Sequence, residues 1–134
     1  KTLDACLVGA GQLGAALLGH RDLAKHGVRI VAAFDTNPEK AGTSIHGVTV
    51  FPFARIQELL KRLTILLAIV CVPAEVAQGV TDILVDDGIE AIWIFTSVNI
   101  NVPEHVIMQK EDLLSGLAVL SAQLTRRCPG ALPE

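Results

Sequence analysis

The chain has 134 residues and a mass of 14.2 kDa, which is the size of a single domain. Its composition, 51% hydrophobic and 19% charged, excludes a disordered or low-complexity protein. The net charge of -3 disfavours direct binding of nucleic acid, because phosphate contacts need clustered Lys and Arg. Apolar runs stay shorter than the roughly 18 residues of a membrane span, so no membrane partner is predicted.

The chain begins with Lys1 and has one methionine, Met108, so we expect a fragment or a processed chain. Its three cysteines form neither an even set nor the spacing of a metal site. This pattern predicts no metal and a reducing, cytoplasmic location. Cys6 and Cys71 lie in apolar runs, where we expect them to act as small hydrophobic residues.

Strands and helices are predicted to alternate along the chain. Short apolar runs predict six strands, at 5–8, 28–34, 48–51, 65–72, 91–95 and 106–108. Apolar residues at helical spacing predict four helices, at about 12–25, 53–63, 76–84 and 113–124. Polar segments at 36–47 and 96–105 predict loops, and Asp112 is the expected N-cap of the last helix.

Strands without polar alternation are typical of a parallel sheet that helices cover on both faces. We therefore predict a doubly wound α/β sheet of six to seven strands in the order 3-2-1-4-5-6. Residues 1–111 would form this domain, 112–125 a C-terminal helix used in dimerisation, and 126–134 a flexible tail. The leucines of the last helix leave an apolar face, and burial by a second copy is favoured over folding back on its own sheet.

A glycine-rich turn follows the first predicted strand and consists of Gly9, Ala10, Gly11, Gln12, Leu13 and Gly14. Its GxGxxG pattern opens a helix, and Asp35 ends the second strand 21 residues after Gly14. This combination is the dinucleotide-binding fingerprint of a Rossmann fold, in which Gly9 permits the tight turn, Gly11 leaves room for the pyrophosphate and Gly14 allows close helix packing. A glycine-rich turn without a ligand is the weaker alternative.

The acidic residue predicts the type of dinucleotide. Asp35 would accept hydrogen bonds from the adenosine ribose, and its charge would repel a 2′-phosphate, which favours NAD(H) over NADP(H). An acid that only caps a turn is the alternative. Ligands of such sheets bind at the carboxyl ends of the strands, which adds five candidate residues near the nicotinamide: Val72, Pro73, Ala74, Phe95 and Thr96. Capping of a turn explains Thr96 about as well.

The ordered set of motifs resembles the NAD(H)-binding domain of the Rex family of bacterial redox-sensing transcriptional repressors. The resemblance runs from about residue 7 to 124 and is carried by 8–14, 34–42, 72–78, 86–89, 95–96, 102–104 and 112–117. It implies further cofactor contacts from Thr36 and Lys40, and from His20 and Leu113. The last two stand where some members have aromatic residues near the nicotinamide, and Ile94 replaces a frequent Asn.

The resemblance implies a homodimer whose subunits each hold a winged-helix domain that binds operator DNA, an NAD(H) domain and an exchanged C-terminal helix. NADH would alter the geometry of the dimer and release the DNA, and no catalysis is expected. The winged-helix domain is absent from these residues, so DNA binding is expected only of the full-length protein. The alternatives are a cofactor-binding fragment of an NAD-dependent oxidoreductase, with His20 as its one candidate proton donor, and a CoA-binding domain of a ligase.

Overall fold

The computed structural model describes residues 2–128 and Gly130, and within this part of the chain seven strands form one sheet. In chain order they are β1 (Leu3–Val8), β2 (Val28–Asp35), β3 (Ser44–Ile45), β4 (Val48–Pro52), β5 (Leu67–Val70), β6 (Ala91–Phe95) and β7 (Ile107–Glu111). Their order across the sheet is β3-β4-β2-β1-β5-β6-β7, and every neighbouring pair except β3–β4 is parallel. The six predicted strands lie in the predicted order, which confirms the doubly wound α/β fold.

The seventh strand, β3, lies inside the segment 36–47, for which the loop prediction was wrong at these two residues. It pairs antiparallel with β4 through a hairpin turn at His46 and Gly47. Both turn residues have positive φ, 49° and 81°, as a two-residue hairpin loop requires. A strand of two residues is too short to leave a periodic pattern in the sequence.

Among the described residues, five α-helices connect or follow the strands: α1 (Gln12–Leu18), α2 (Asp22–Lys25), α3 (Ile56–Leu63), α4 (Ala74–Asp86) and α5 (Ser115–Arg127). The prediction of one continuous helix over 12–25 was wrong, because the chain leaves the helix at Gly19. A Cβ at Gly19 would lie 2.6 Å from the Nε2 atom of His46, so the tip of the β3–β4 hairpin packs against the end of α1. This contact is between distant parts of the chain and leaves no local signal.

Two predicted strands differ at their ends. The run at 65–72 forms only the four residues of β5, whereas the strand predicted at 106–108 continues to Glu111. β7 is an edge strand, and its last three residues, Gln109, Lys110 and Glu111, are polar. The run of hydrophobic residues therefore ends before the pairing of β7 with β6 does.

The two faces of the sheet are covered unequally. One face packs against α3 and α4, and its core includes Phe34, Val70 and Leu84. The other face packs against α1 over β1 and β2, where Leu7 is fully buried. Over β6 and β7 this second face is left open in the described structure, and Ile107 is 74% exposed.

The last helix, α5, buries none of its residues. Its N-cap is Leu114 rather than the predicted Asp112, whose Oδ1 atom instead accepts a hydrogen bond from the Leu114 N–H at 3.2 Å. The helix continues to Arg127, into the segment predicted as a flexible tail, and residues 129 and 131–134 of that segment lie outside the described residues. The division at residue 112 stays a prediction.

None of the helices in the described ranges has both the length and the apolar character that crossing a membrane requires.

Candidate nucleotide-binding site

A cavity of about 560 Å³ opens at the carboxyl ends of β1, β2, β5 and β6. This is the edge of a doubly wound sheet at which ligands bind, at the point where the strand order reverses between β1 and β5. Its lining residues are Val8, Gly9, Gly11, Leu13, Asp35, Thr36, Asn37, Lys40, Cys71, Val72, Pro73, Val76, Val80 and Phe95. The volume is typical of a site for a small molecule or cofactor.

The glycine-rich turn forms the floor of this cavity. Gly9 has φ of 100°, and a Cβ atom there would overlap the carbonyl oxygen of Cys71 on the neighbouring strand end. A Cβ at Gly14 would overlap the carbonyl oxygen of Gly9, so α1 approaches the turn more closely than any side chain permits. Gly11 differs, because a Cβ there would meet nothing within 4 Å and would project into open space at the cavity.

Asp35 and Lys40 hold the turn from the side of β2. The Asp35 Oδ2 atom accepts a hydrogen bond from the Ala10 N–H at 2.8 Å, and Oδ1 accepts one from the Asn37 N–H at 2.8 Å. The ammonium group of Lys40 donates to the carbonyl oxygen of Ala10 at 3.1 Å. The N–H and C=O groups of Ala10 are therefore fixed by Asp35, the last residue of β2, and by Lys40, which follows it. Each Asp35 oxygen keeps further lone-pair capacity for a ligand.

Apolar residues form the opposite end of the cavity. Val72 and Pro73 follow β5, and α4 begins directly after Pro73 and contributes Val76 and Val80. Phe95 lies at the end of β6 and also lines a smaller neighbouring cavity of about 210 Å³. The site thus has a charged end at Asp35 and Lys40 and an apolar end at Phe95.

The structure brings most of the predicted site residues together. Those that line the main cavity are Gly9, Gly11, Leu13, Asp35, Thr36, Lys40, Val72, Pro73 and Phe95. Ala10, Gln12, Gly14 and Ala74 are their chain neighbours and do not line it. Thr96 and Leu113 line the neighbouring cavity, which shares Leu13 and Phe95 with the main one.

His20 does not line this cavity, and its contact with the nicotinamide stays a prediction. It lines a separate cavity with Thr2 and Val28, which lie at the amino ends of β1 and β2. The reason is geometric: α1 starts at the carboxyl end of β1 and runs back along the sheet, so a residue after its last turn is carried to the opposite edge.

The main cavity also includes residues that the sequence did not single out for it, among them Asn37, Cys71, Val76 and Val80. Asn37 lies between the predicted site residues Asp35 and Lys40 in the chain. Val76 and Val80 have the i, i+4 spacing of one helix face. The sequence therefore contained features that could have pointed to all three residues. Burial raises the pKa of the Cys71 thiol to about 12, and that of the Cys6 thiol also to about 12. Both thiols are therefore protonated and unreactive at neutral pH, in agreement with their prediction as small hydrophobic residues.

Comparison with known proteins shows the family to which this chain belongs. The sequence profile of CoA-binding domains matches residues 1–98. Among curated proteins, the chain is 41% identical over 95% of its length to the redox-sensing transcriptional repressor Rex of Treponema denticola and covers 60% of that protein. It is 40% identical over 90% of its length to Rex of Bacteroides fragilis and covers 54% of it. The chain thus spans less than two thirds of these relatives.

Similar solved structures include members of the same Rex family. The Rex-family repressor RSP in complex with β-NADH superposes with a TM-score of 0.85 at 32% identity, over 94% of this chain and 61% of RSP. RSP with β-NAD+ and operator DNA gives a TM-score of 0.89 at 32% identity, over 94% of this chain and 58% of RSP. UDP-D-quinovosamine 4-dehydrogenase from Vibrio fischeri, 19% identical with a TM-score of 0.62, shares the fold alone. The chain therefore belongs to the family of CoA-binding domains, and its similarity to the Rex repressors extends over nearly its whole length.

Proposed function

We propose that this chain is the domain of a Rex-like transcriptional repressor that binds NADH and NAD+ and senses their ratio. The observation that carries the proposal is the cavity in which the open turn at Gly11 lies beside the Asp35 carboxylate, on a chain similar to Rex over 95% of its length. A solved relative, RSP, binds NADH in one structure and NAD+ with operator DNA in another.

The cavity provides a place for each part of the dinucleotide. The pyrophosphate would lie over Gly11, where no side chain covers the backbone, and the first N–H groups of α1 would donate to it. The adenosine ribose would lie beside Asp35, and the nicotinamide would extend along Val72 and Pro73 towards Phe95. NAD(H) is favoured over NADP(H), because a 2′-phosphate would face the Asp35 carboxylate.

We propose binding without catalysis. The ionisable groups that line the cavity are Asp35 and Lys40 at the adenosine end and Cys71, whose raised pKa of about 12 keeps its thiol protonated. None of these supplies a proton-transfer group poised near pH 7 at the nicotinamide end. The relatives are named as repressors, so the cofactor would act as a signal, and its effect requires different affinities for two states of the protein.

We further propose a homodimer in which α5 of one subunit covers a second copy. Leu117, Leu120 and Leu124 are 62%, 63% and 48% exposed and lie on one face of the helix. The open sheet face over β6 and β7 carries apolar side chains as well: Trp93 and Phe95 are only partly buried and Ile107 is exposed. Two unfilled apolar faces on one chain are suited to mutual burial in a symmetric dimer.

Operator binding and repression are proposed for the whole protein of which this chain is the cofactor-binding domain. In that protein a winged-helix domain would contact the DNA, and NADH would shift the dimer to a geometry that releases it. Such a repressor acts in the cytoplasm, where its free thiols stay reduced.

Calorimetric titration with NADH, NAD+, NADPH and coenzyme A, together with light scattering, tests the proposal directly. We expect tight binding of NADH, weaker binding of NAD+, still weaker binding of NADPH, and the mass of a dimer. Binding of coenzyme A without NADH would contradict the proposal.

Coenzyme A is the second candidate ligand, because the profile that matches residues 1–98 is that of CoA-binding domains. Coenzyme A carries a phosphate on the 3′-hydroxyl of its ribose. In the proposed pose this phosphate would lie next to the Asp35 carboxylate, and the two negative charges would repel each other. The acid at the end of β2 thus favours a dinucleotide with free ribose hydroxyls.

Replacing Asp35 with alanine should lower NADH affinity by about tenfold or more, because hydrogen bonds to a charged acceptor contribute about 1.5–3 kcal/mol. The discrimination against NADPH should shrink at the same time, since the repelling charge is gone. The measurement is titration of both nucleotides into both proteins. Asp35→Asn is the matched control, because its amide oxygen still accepts from the Ala10 N–H while the charge is removed. Unchanged affinities in Asp35→Ala would remove this acid from the site.

A further inference from the structure

The loop between β6 and β7, residues 96–106, is joined to α4 by a pair of hydrogen bonds from one side chain. The Gln78 Nε2 atom donates to the Asn101 carbonyl oxygen at 2.9 Å, and the Asn101 N–H donates to Gln78 Oε1 at 2.9 Å. The side-chain amide therefore pairs with the backbone of Asn101 at both of its polar groups, as a neighbouring strand would. We call this pair the Gln78 latch.

Other contacts hold the same loop from the side of β7. The Thr96 N–H donates to the Glu111 carbonyl oxygen at 3.0 Å, and the Lys110 ammonium donates to the Val98 carbonyl oxygen at 3.2 Å. Ile100 is only 7% exposed and packs in the core. The Gln78 latch also attaches this loop to α4 by hydrogen bonds, from a side chain that lies 23 positions before Asn101 in the chain.

The two elements that the latch joins are walls of the candidate site. α4 lines the main cavity through Val76 and Val80, and the loop lines the neighbouring cavity through Thr96 and Ser97. Successive residues of an α-helix lie about 100° apart around its axis, so Gln78 lies about half a turn around α4 from Val76. The main cavity is therefore on one side of α4 and the loop on the other. Through Asn101, the latch therefore fixes the loop to the helix that forms one wall of the main cavity.

We propose that Gln78 is a positioning residue for the nicotinamide half of the bound dinucleotide. By fixing Asn101 to α4, it holds the loop that begins with Thr96 and Ser97 in place relative to Pro73, directly before the same helix. The adenosine half is held by Gly11, Asp35 and Lys40, which belong to other elements. This inference rests on the proposed binding of NAD(H), and it assigns to Gln78 a role in affinity for one half of that ligand.

The test compares NADH with ADP-ribose, which has the adenosine and pyrophosphate parts but no nicotinamide. In Gln78→Ala we expect NADH affinity to fall about tenfold, the equivalent of two lost neutral hydrogen bonds, and ADP-ribose affinity to change by less than about twofold. Titration calorimetry gives both constants, and thermal unfolding measures the stability of each variant separately. A merely structural role would lower the melting temperature without changing the ratio of the two affinities.

Two variants of the same region sharpen the comparison. Gln78 also donates to Asp82 Oδ1 at 2.8 Å, so Asp82→Ala removes a neighbour of Gln78 but leaves the latch, and its affinity ratio should equal that of the parent. Gln78→Met has a side chain of similar length and makes neither hydrogen bond of the latch, so its ratio should equal that of Gln78→Ala, and it serves if Gln78→Ala does not fold.

An unchanged ratio in both Gln78 variants, or an equal loss for the two ligands, would overturn the role of Gln78 while leaving NAD(H) binding intact. A parent protein that binds neither ligand would overturn the proposed function as well, so the two failures are distinguishable.

Discussion

Replacing Gly11 with alanine is expected to weaken NADH binding by about a hundredfold without destabilising the folded protein. The new methyl group would meet nothing within 4 Å in the protein and would occupy the floor of the cavity where the pyrophosphate must approach the backbone. Gly11 has φ of −76° and ψ of −155°, which an alanine adopts without strain. Titration with NADH measures the affinity, and thermal unfolding measures the stability.

Gly14→Ala provides the contrast within the same motif. A Cβ there overlaps the carbonyl oxygen of Gly9, so we expect a loss of about 3 kcal/mol in the free energy of unfolding. Gly79→Ala is the matched control, because Gly79 lies within α4 and a Cβ there meets nothing within 4 Å. That variant should be stabilised by about 1 kcal/mol through helix propensity. If Gly11→Ala binds NADH like the parent, the pyrophosphate does not lie at this turn.

Ending the chain after Asp112 is expected to convert the proposed dimer into a monomer. α5 buries none of its residues within its own subunit, so the shortened domain should keep its core and still unfold cooperatively. The three leucines on one face of α5 are then no longer available to cover a second copy. Sedimentation velocity or light scattering gives the mass, which should fall to that of a single chain.

A pair of point variants tests the same helix without shortening the chain. Leu117→Lys combined with Leu120→Lys places two charges on the apolar face and should also produce a monomer. Ala122→Lys is the control, because position 122 lies on the opposite side of the helix and the dimer should persist. A dimer that survives both the truncation and the double variant would show that α5 is not the interface.

Individual strands and helices show which parts of the fold can be predicted from residues that are close together in the sequence. The apolar runs of β1, β2 and β6 and the glycines after β1 act through residues close in sequence, so their strands and the turn could be predicted. The first helix ends at Gly19, which packs against the ring of His46 from a hairpin 27 residues later. Asp112 was expected to cap α5, yet the cap is Leu114, because helix ends depend on geometry as well as on residue type.

The candidate site likewise contains residues that the sequence could predict and residues that it could not. The motif residues Gly9, Gly11 and Asp35 lie where the fingerprint predicts them, since the strand–turn–helix geometry follows from the motif itself. The motif gives no information about the direction in which the chain continues after α1, so it did not indicate that His20 lines a separate cavity. Asn37 and the valines of α4 were missed, although their spacing pointed towards the same edge.

The sequence by itself determined the doubly wound α/β sheet, its strand order and the edge at which a dinucleotide would bind, because hydrophobic periodicity and the glycine motif are local properties of the chain. Only the tertiary structure decided that Asp35 and Lys40 both hold the Ala10 peptide, that Gln78 ties a distant loop to α4, and that His20 lies at the opposite edge. These facts depend on contacts between residues far apart in sequence, and such contacts exist only once the packing of the elements has brought the residues together.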